Sequence, residues 1–354
     1  MATNEPPGTP TAAERISVLP GGSYVALGDS LSAGLEDRYA DGTSPHSATP
    51  QGGYRGFTDL LALRMTAERP DLRYANLAIR GRAVAHILGE QVDQALALRP
   101  GVVTITAGGN DIMDTGFDAG AVAARYERGV RRLRSAGAEV VMVGLHDIGT
   151  MPVLRWGRDK VRALNERLAE VAERNDCVFV DLYRLPVLRD PRAFDPDRVH
   201  YNAAGHLIVA AHVGERIGLP FPHSPHSMGW SDPAALLNTN GAWVRRYVLP
   251  ALYRNLTGRT TGDGVPPKRP TAAPLANAGE GARLTPPPDR PGLLPAGDPE
   301  QRRLAGWTAR DVRARSIAEV AHRLRDSPRT PGPAAARSQT ARPAGPQRRS
   351  ARRR

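Results

Sequence analysis

The chain has 354 residues, room for one large domain or two small ones, and a formal charge of +12 with 32 Pro and 36 Gly. From Gly258 onward 20 Lys/Arg stand against 8 Asp/Glu, so that stretch carries the whole excess and the first 257 residues are balanced. A basic body would hint at a polyanionic substrate, whereas a basic tail says nothing about the cleft; the single cysteine, Cys177, excludes an intramolecular disulfide and a cysteine-rich metal site.

The first 21 residues are rich in Pro, Thr and Ala and read as a flexible segment. They lack the basic start and apolar stretch of a secretory signal, and no run approaches the roughly 20 apolar residues that span a bilayer, so a cytoplasmic location is expected. Five short apolar runs follow: Tyr24–Leu27, Tyr74–Leu77, Val102–Thr106, Val140–Leu145 and Val178–Leu182. They are continuous rather than alternating, which suits strands buried on both faces of a parallel sheet. Helical stripes lie between them: Phe57, Leu60, Leu61 and Met65; then Val84, Ile87, Leu88, Val92 and Leu96. Val122, Tyr126, Val130 and Leu133 form a third stripe; Val161, Leu164, Leu168 and Val171 form a fourth; Ala203 to Ile217 closes the unit. Alternating strand and helix predict a three-layer α/β/α sandwich over residues 22–220. Residues 221–257, with Trp243, Tyr247, Val248, Leu252, Tyr253 and Leu256 at helical spacing around Pro250, are expected to pack back on that domain. Residues 258–354 are Pro-, Arg- and Ala-rich, too poor in apolar side chains to offset chain entropy, and are expected to be disordered. A short basic amphipathic helix over Ala309–Asp326 is the one exception considered. For this basic tail a merely solvated role is favoured over attachment to nucleic acid or anionic membrane.

The chemistry-bearing residues fall where the strands end. Gly28-Asp29-Ser30-Leu31-Ser32 follows the first strand directly, and ligands of open α/β sheets bind beyond the carboxyl ends of strands. Taken alone it reads equally well as a turn into a helix cap. A serine nucleophile needs a base, and Asp197-Arg198-Val199-His200, just before the last helix, offers an imidazole with a carboxylate three residues upstream to orient it. Taken alone, this spacing is most often a solvated loop. Two further strand ends can supply donors for an oxyanion. Asn76-Leu77-Ala78-Ile79-Arg80-Gly81 brings a glycine backbone N–H, and Ala107-Gly108-Gly109-Asn110-Asp111 brings the Asn110 side-chain amide.

These four blocks, in this order, resemble those of the SGNH hydrolases, the GDSL esterase/lipase family, over about Gly22–Leu219; the later Trp243–Asp263 stretch looks like an extension of actinobacterial members. The resemblance implies a flavodoxin-like fold with a parallel five-stranded sheet of order 2-1-3-4-5. It also implies Ser30 as nucleophile, Asp197 and His200 as the rest of a triad, and the Ser30 N–H, Gly81 N–H and Asn110 amide as oxyanion donors. No metal or organic cofactor is implied. The expected activity is hydrolysis of small carboxylic esters through an acyl-enzyme by a monomer. Transfer to, or deacetylation of, a carbohydrate or other small acceptor, and a non-catalytic binding module, are the alternatives. Arg80 and Arg82 flank Gly81, where the family often has Ser and a small residue; they either select an acidic acyl ester or point to solvent or pair with Asp/Glu, the latter favoured. Glu36–Gly53 is read as a polar loop forming part of a lid. His146, beyond the fourth strand, is a candidate cleft residue.

Overall fold

The computed structural model describes residues 10–39, 44, 46, 51–151, 154–221 and 260–275. The expected extension over 221–257, apart from Phe221, and the expected helix at Ala309–Asp326 lie outside the described residues.

Five parallel strands, β1 (Ser23–Gly28), β2 (Arg73–Asn76), β3 (Val102–Thr106), β4 (Glu139–Val143) and β5 (Val178–Val180), pair in the spatial order 2-1-3-4-5. Four of the five apolar runs are buried at every strand position from Tyr24 to Leu27, Tyr74 to Asn76, Val102 to Thr106 and Val140 to Val143, as continuous hydrophobicity requires. The order reverses direction at β1, so right-handed crossovers put α3 (Gly56–Glu68), between β1 and β2, on one face. The returning connections, α6 (Ala119–Ser135) and α7 (Arg158–Arg174), lie together on the other. The last helix, α8 (Ala203–Arg216), joins α3. The residues predicted for the four helical stripes are buried, Leu96 alone being only partly so. The second stripe is one helical path in three parts, α4 (Val84–His86), a π-turn over Ile87–Gln91 and α5 (Val92–Ala97).

Two expectations are corrected. Residues 12–17 are not flexible coil but a helix, α1 (Ala12–Ser17), started by a reciprocal Thr11–Glu14 capping box and held by the fully buried Ile16. Its Arg15 reaches Glu139 at 2.8 Å and Asp176 at 2.6 Å. Residues 260–275, placed in the disordered tail by composition, instead form a turn and a sixth strand, β6 (Arg269–Pro274). This strand runs antiparallel to β2 and caps the edge of the sheet. Ala272 is its one side chain buried in the core and the rest of its hold is polar, which is why composition missed it. The Arg269 guanidinium donates to the carbonyls of Tyr74, Ala273 and Pro274 at 2.8–2.9 Å, and the buried Lys268 ammonium sits 2.9 Å from Asp59 Oδ1.

Among the described residues, no helix is long and apolar enough to cross a membrane.

Candidate active site

Two parallel strands that diverge in connection, β1 and β3, leave a crevice beyond their carboxyl ends, and Ser30 stands at its rim. The end of β1 is fixed from below by Gln91, whose amide accepts from Gly28 N–H at 2.8 Å and donates to Gly28 C=O at 3.0 Å. Ser30 then opens a single helical turn, α2 (Ser30–Ala33), capped by Asp29, whose carboxylate accepts from Leu31 N–H at 3.0 Å. The turn is tied back on all sides: Ser32 Oγ donates to Leu27 C=O, and Ser32 C=O accepts from Thr58 Oγ1 and Asn76 Nδ2. The nucleophile candidate is therefore presented by a rigid corner.

The second side of the site is the loop between β5 and α8. A single antiparallel bridge pairs Phe194 with Tyr201, and Asp195 N–H donates to His200 C=O at 2.9 Å. Arg198 turns the chain with a positive φ of 62°. Inside this turn, Asp197 Oδ1 accepts from the Val199 and His200 N–H groups at 2.8 and 2.9 Å, which fixes the carboxylate before it meets the ring. Its other oxygen lies 2.5 Å from His200 Nδ1, and His200 Nε2 lies 2.8 Å from Ser30 Oγ. An ionised carboxylate only accepts, so the Nδ1 atom carries the proton and Nε2 faces the hydroxyl as acceptor. Burial by itself lowers the His200 pKa, but the Asp197 carboxylate, helped by Glu36 and Asp29, outweighs it and the imidazole titrates above its ordinary range. Burial likewise favours the neutral Asp197, and the His200 ring with the two N–H bonds overturns that, holding the carboxyl below its ordinary range.

The remaining two predicted residues meet on the third side. Asn110 Nδ2 donates to Arg82 C=O at 3.0 Å and, more weakly, to Asp29 Oδ2 at 3.3 Å. Gly81 occupies the left-handed region, φ 74°, between Arg80 and Arg82. That loop is closed by Asp111, which accepts from Val84 N–H at 2.9 Å. Hydrogen bonds thus link Ser30, His200 and Asp197 in one chain, and Asn110 bridges the Asp29 carboxylate and the backbone of the Gly81 loop.

Several neighbours were not anticipated. Asp29 is buried, and burial pushes its pKa up to about 6. The wholly buried Gln51 accepts from Arg80 N–H at 3.1 Å and donates to Ala78 C=O at 3.3 Å. Arg82 pairs with Asp263 at 3.1 Å, as the pairing alternative has it, while Arg80 donates to the Thr261 backbone carbonyl instead. His146 is buried against Phe194 and Tyr201 and shares a 2.6 Å hydrogen bond with the Tyr201 hydroxyl, which makes it a packing residue behind the loop that carries Asp197 and His200 rather than a wall of the cleft. Of the Glu36–Gly53 loop, the described part is packed rather than free: Asp37 accepts from the Arg55 guanidinium at 3.0 Å, and Tyr39 donates to Asp59 at 2.9 Å. Among the described residues, no group of three or more His, Cys, Asp or Glu is placed to hold a metal ion.

Solved structures similar to this one include LAE5, an α/β hydrolase from a lake metagenome, at 20% identity and a TM-score of 0.47, over 57% of this chain and 97% of that one. A single-residue variant of Axe2, an acetyl xylan esterase from Geobacillus stearothermophilus, is similar at 21% identity and a TM-score of 0.46, over 58% and 98%. The psychrotrophic esterase EstA from a Pseudoalteromonas species is similar at 19% identity and a TM-score of 0.44, over 56% and 97%. A search of the curated proteins found no match. Residues 26–208, just over half of the chain, match the GDSL-like lipase/acylhydrolase family. They contain Ser30, Gly81, Asn110, Asp197 and His200, and the chain belongs to that family of ester-bond hydrolases.

Proposed function

We infer that this protein hydrolyses carboxylic esters in two steps through an acyl-enzyme on Ser30. The observation that carries the reading is the unbroken chain Ser30 Oγ, His200 Nε2, His200 Nδ1, Asp197 Oδ2, with links of 2.8 and 2.5 Å. In the first step, His200 Nε2 takes the Ser30 proton as Oγ attacks the ester carbonyl carbon. The imidazolium that forms faces an Asp197 carboxylate already fixed by two N–H bonds, so its charge is met without reorganisation. The carbonyl oxygen becomes an oxyanion, received by the N–H groups of Ser30 and Gly81 and by Asn110 Nδ2. The longer of the two Asn110 bonds, the one to Asp29, is the one given up to the oxyanion. His200 then protonates the departing alkoxide, leaving the acyl group on Oγ. In the second step, His200 draws a proton from water, water attacks the acyl carbonyl, and Ser30 leaves with the proton as the acid is released.

The test is labelling with a fluorophosphonate and turnover of a short-chain p-nitrophenyl ester. The wild-type protein is expected to be labelled at Ser30 alone. Ser30→Ala is expected to lose label and to lower kcat on the order of 10⁶-fold with little change in unfolding free energy. Undiminished turnover in that variant would remove the assignment.

A further inference from the structure

We propose that Thr260–Asp263 is a brace behind the Gly81 loop that positions both side-contributed oxyanion donors, so that the catalytic unit extends past the residues shared with the family; this rests on reading Gly81 and Asn110 as donors. The brace is a closed turn in its own right. Asp263 accepts from Thr260 N–H and Thr260 Oγ1, each at 2.8 Å, and Val265 N–H donates to Gly262 C=O at 3.1 Å. It grips the loop on both sides of Gly81. Arg80 Nε donates to Thr261 C=O at 3.0 Å, while the Arg82 guanidinium donates to Asp263 Oδ1 at 3.1 Å and to Gly262 C=O at 3.2 Å.

Exposed ion pairs alone would fix little. The stronger restraint is steric. A Cβ on Gly81 would lie 2.8 Å from Thr261 Oγ1, and one on Gly262 would lie 2.1 Å from the Arg80 carbonyl oxygen and 2.7 Å from Ile79 Cγ2. The two backbones interlock at a distance only glycines permit, so neither moves without the other. Downstream, the brace cannot slide. Gln51 Nε2 donates to Pro266 C=O at 3.1 Å as well as to Ala78 C=O, and Oε1 of the same amide accepts from Arg80 N–H. Lys268 then pins the segment to the Tyr54 and Arg55 carbonyls at 3.1 and 2.7 Å.

The consequence for catalysis runs through one atom. Asn110 Nδ2 donates to the carbonyl of Arg82, the residue the brace holds, so a displaced loop shifts the Gly81 N–H and re-aims the Asn110 amide together. A role limited to covering the sheet edge needs only β6. It does not call for a glycine pressed on the Arg80 carbonyl or a carboxylate on Arg82, both of which lie before the strand begins. Thr261, Gly262 and Asp263 are thus positioning residues, and Gln51 is a fourth.

The test compares Asn110→Ala, Gly262→Ala, Asp263→Ala and Asp263→Asn in the full chain. It uses a short-chain p-nitrophenyl ester for kinetics and an alkyl boronic acid, whose tetrahedral anion engages the oxyanion donors. Asn110→Ala is expected to lower kcat about 10²–10³-fold. Gly262→Ala is expected to lower it up to about 100-fold, the scale of an ångström's misplacement. With uniform binding intact, KM should stay within about threefold while boronate affinity falls with kcat. Asp263→Ala should behave similarly and more mildly, and Asp263→Asn, which keeps an acceptor for Thr260, should recover most of the loss. The acid limb of the pH profile should not move in any brace variant, because His200 and Asp197 are untouched. Wild-type kcat and boronate affinity in the brace variants, with Asn110→Ala impaired, would overturn the brace and leave the site intact. Wild-type kcat in Asn110→Ala would overturn the donor reading and the brace with it. Should Gly262→Ala not fold, Asp263→Ala against Asp263→Asn decides.

Discussion

Lys268 and Asp59 form a 2.9 Å ion pair in which both side chains are wholly buried. The carboxylate also receives the hydroxyls of Tyr39 and Tyr74 and contacts His46, so its lone pairs are all engaged. Burial alone would raise the Asp59 pKa; the Lys268 ammonium and His46 outweigh it and hold the carboxyl far below its ordinary range. The stabilisation from that depressed group is present above the ordinary carboxyl range, about pH 4, and is lost as pH falls through the folded value. Lys268→Met strands the carboxylate without its cation and is expected to cost about 3–5 kcal/mol at pH 7. The deficit should shrink toward acid, where Asp59 can take a proton, and should be smaller in the double variant with Asp59→Asn. Urea unfolding at pH 7 and pH 5 measures both; a deficit that does not depend on pH would show that the lost charge is not its source.

The same pair shows where reading the sequence stopped. The parallel strands declared themselves because burial on both faces leaves no choice but continuous apolar runs, as from Val102 to Thr106. The candidate site residues are legible as candidates because each sits at a strand end or the closing loop, where backbone rules place ligand chemistry. Strand β6 has neither signal. Its six residues, Arg-Pro-Thr-Ala-Ala-Pro, include two prolines at or near the ends of an edge strand, where a missing N–H is tolerated. Its hold comes from a lysine and an arginine that composition assigns to solvent. Gln91 left a fainter trace: it stands four residues after Ile87, on the apolar stripe itself, and a polar amide there signals a buried partner, here both peptide groups of Gly28. His206 is similar, buried in the closing helix with Nδ1 accepting from Phe57 N–H and Nε2 donating to Leu35 C=O.

Tyr201 supports the loop that carries Asp197 and His200 from behind. Its hydroxyl shares a 2.6 Å bond with His146 Nδ1, and burial lowers the His146 pKa to about 4, so the ring is neutral at pH 7. Tyr201→Phe leaves that nitrogen buried without its partner, at an expected cost of about 1–3 kcal/mol. Replacing both partners, Tyr201→Phe with His146→Phe, should cost less than the two single changes together. Turnover should survive in Tyr201→Phe, since the bonds joining Ser30, His200 and Asp197 do not pass through the phenol. Unfolding free energies for the double-mutant cycle, beside kcat, test this; strict additivity would count against it.

Asp29 predicts a pH slope in stability. Burial raises its pKa to about 6, with Asp111 adding to the shift and the Leu31 N–H bond and His200 opposing it. The folded state therefore prefers the neutral acid. That preference stabilises fully below the unfolded value near pH 4 and is lost as pH rises through about 6, an effect of roughly 3 kcal/mol. Asp29→Asn keeps an acceptor for Leu31 N–H and removes the ionisation. The stability of the wild-type protein relative to this variant should fall between pH 4 and pH 7, read by urea unfolding at four pH values. Parallel curves would mean that Asp29 does not titrate in this window. Asp195, also raised to about 6 by burial, contributes a slope that both proteins keep.

With His200 as the proposed base, the acid limb of activity should follow its titration, whose direction is set by its surroundings. The base must be neutral at Nε2 to accept the Ser30 proton, so kcat/KM should rise with pH as the imidazolium loses its proton. Burial lowers that pKa, but Asp197, Glu36 and Asp29 together overcome it, so the midpoint should lie above the ordinary imidazole value of about 6.5. Asp197→Asn removes the largest of the raising influences. Burial then acts with less opposition, and the midpoint should move downward even as kcat falls on the order of 10⁴-fold. Because so slow a variant gives a poor rate profile, the ring is best followed directly, by NMR titration of the His200 nitrogens in both proteins. A midpoint below that of free imidazole in the wild type, or one that stays put in Asp197→Asn, would mean that the carboxylate does not govern the base. Glu36→Gln should lower the midpoint by a smaller step without breaking the Asp197 bond, which separates long-range charge from the direct contact at Nδ1.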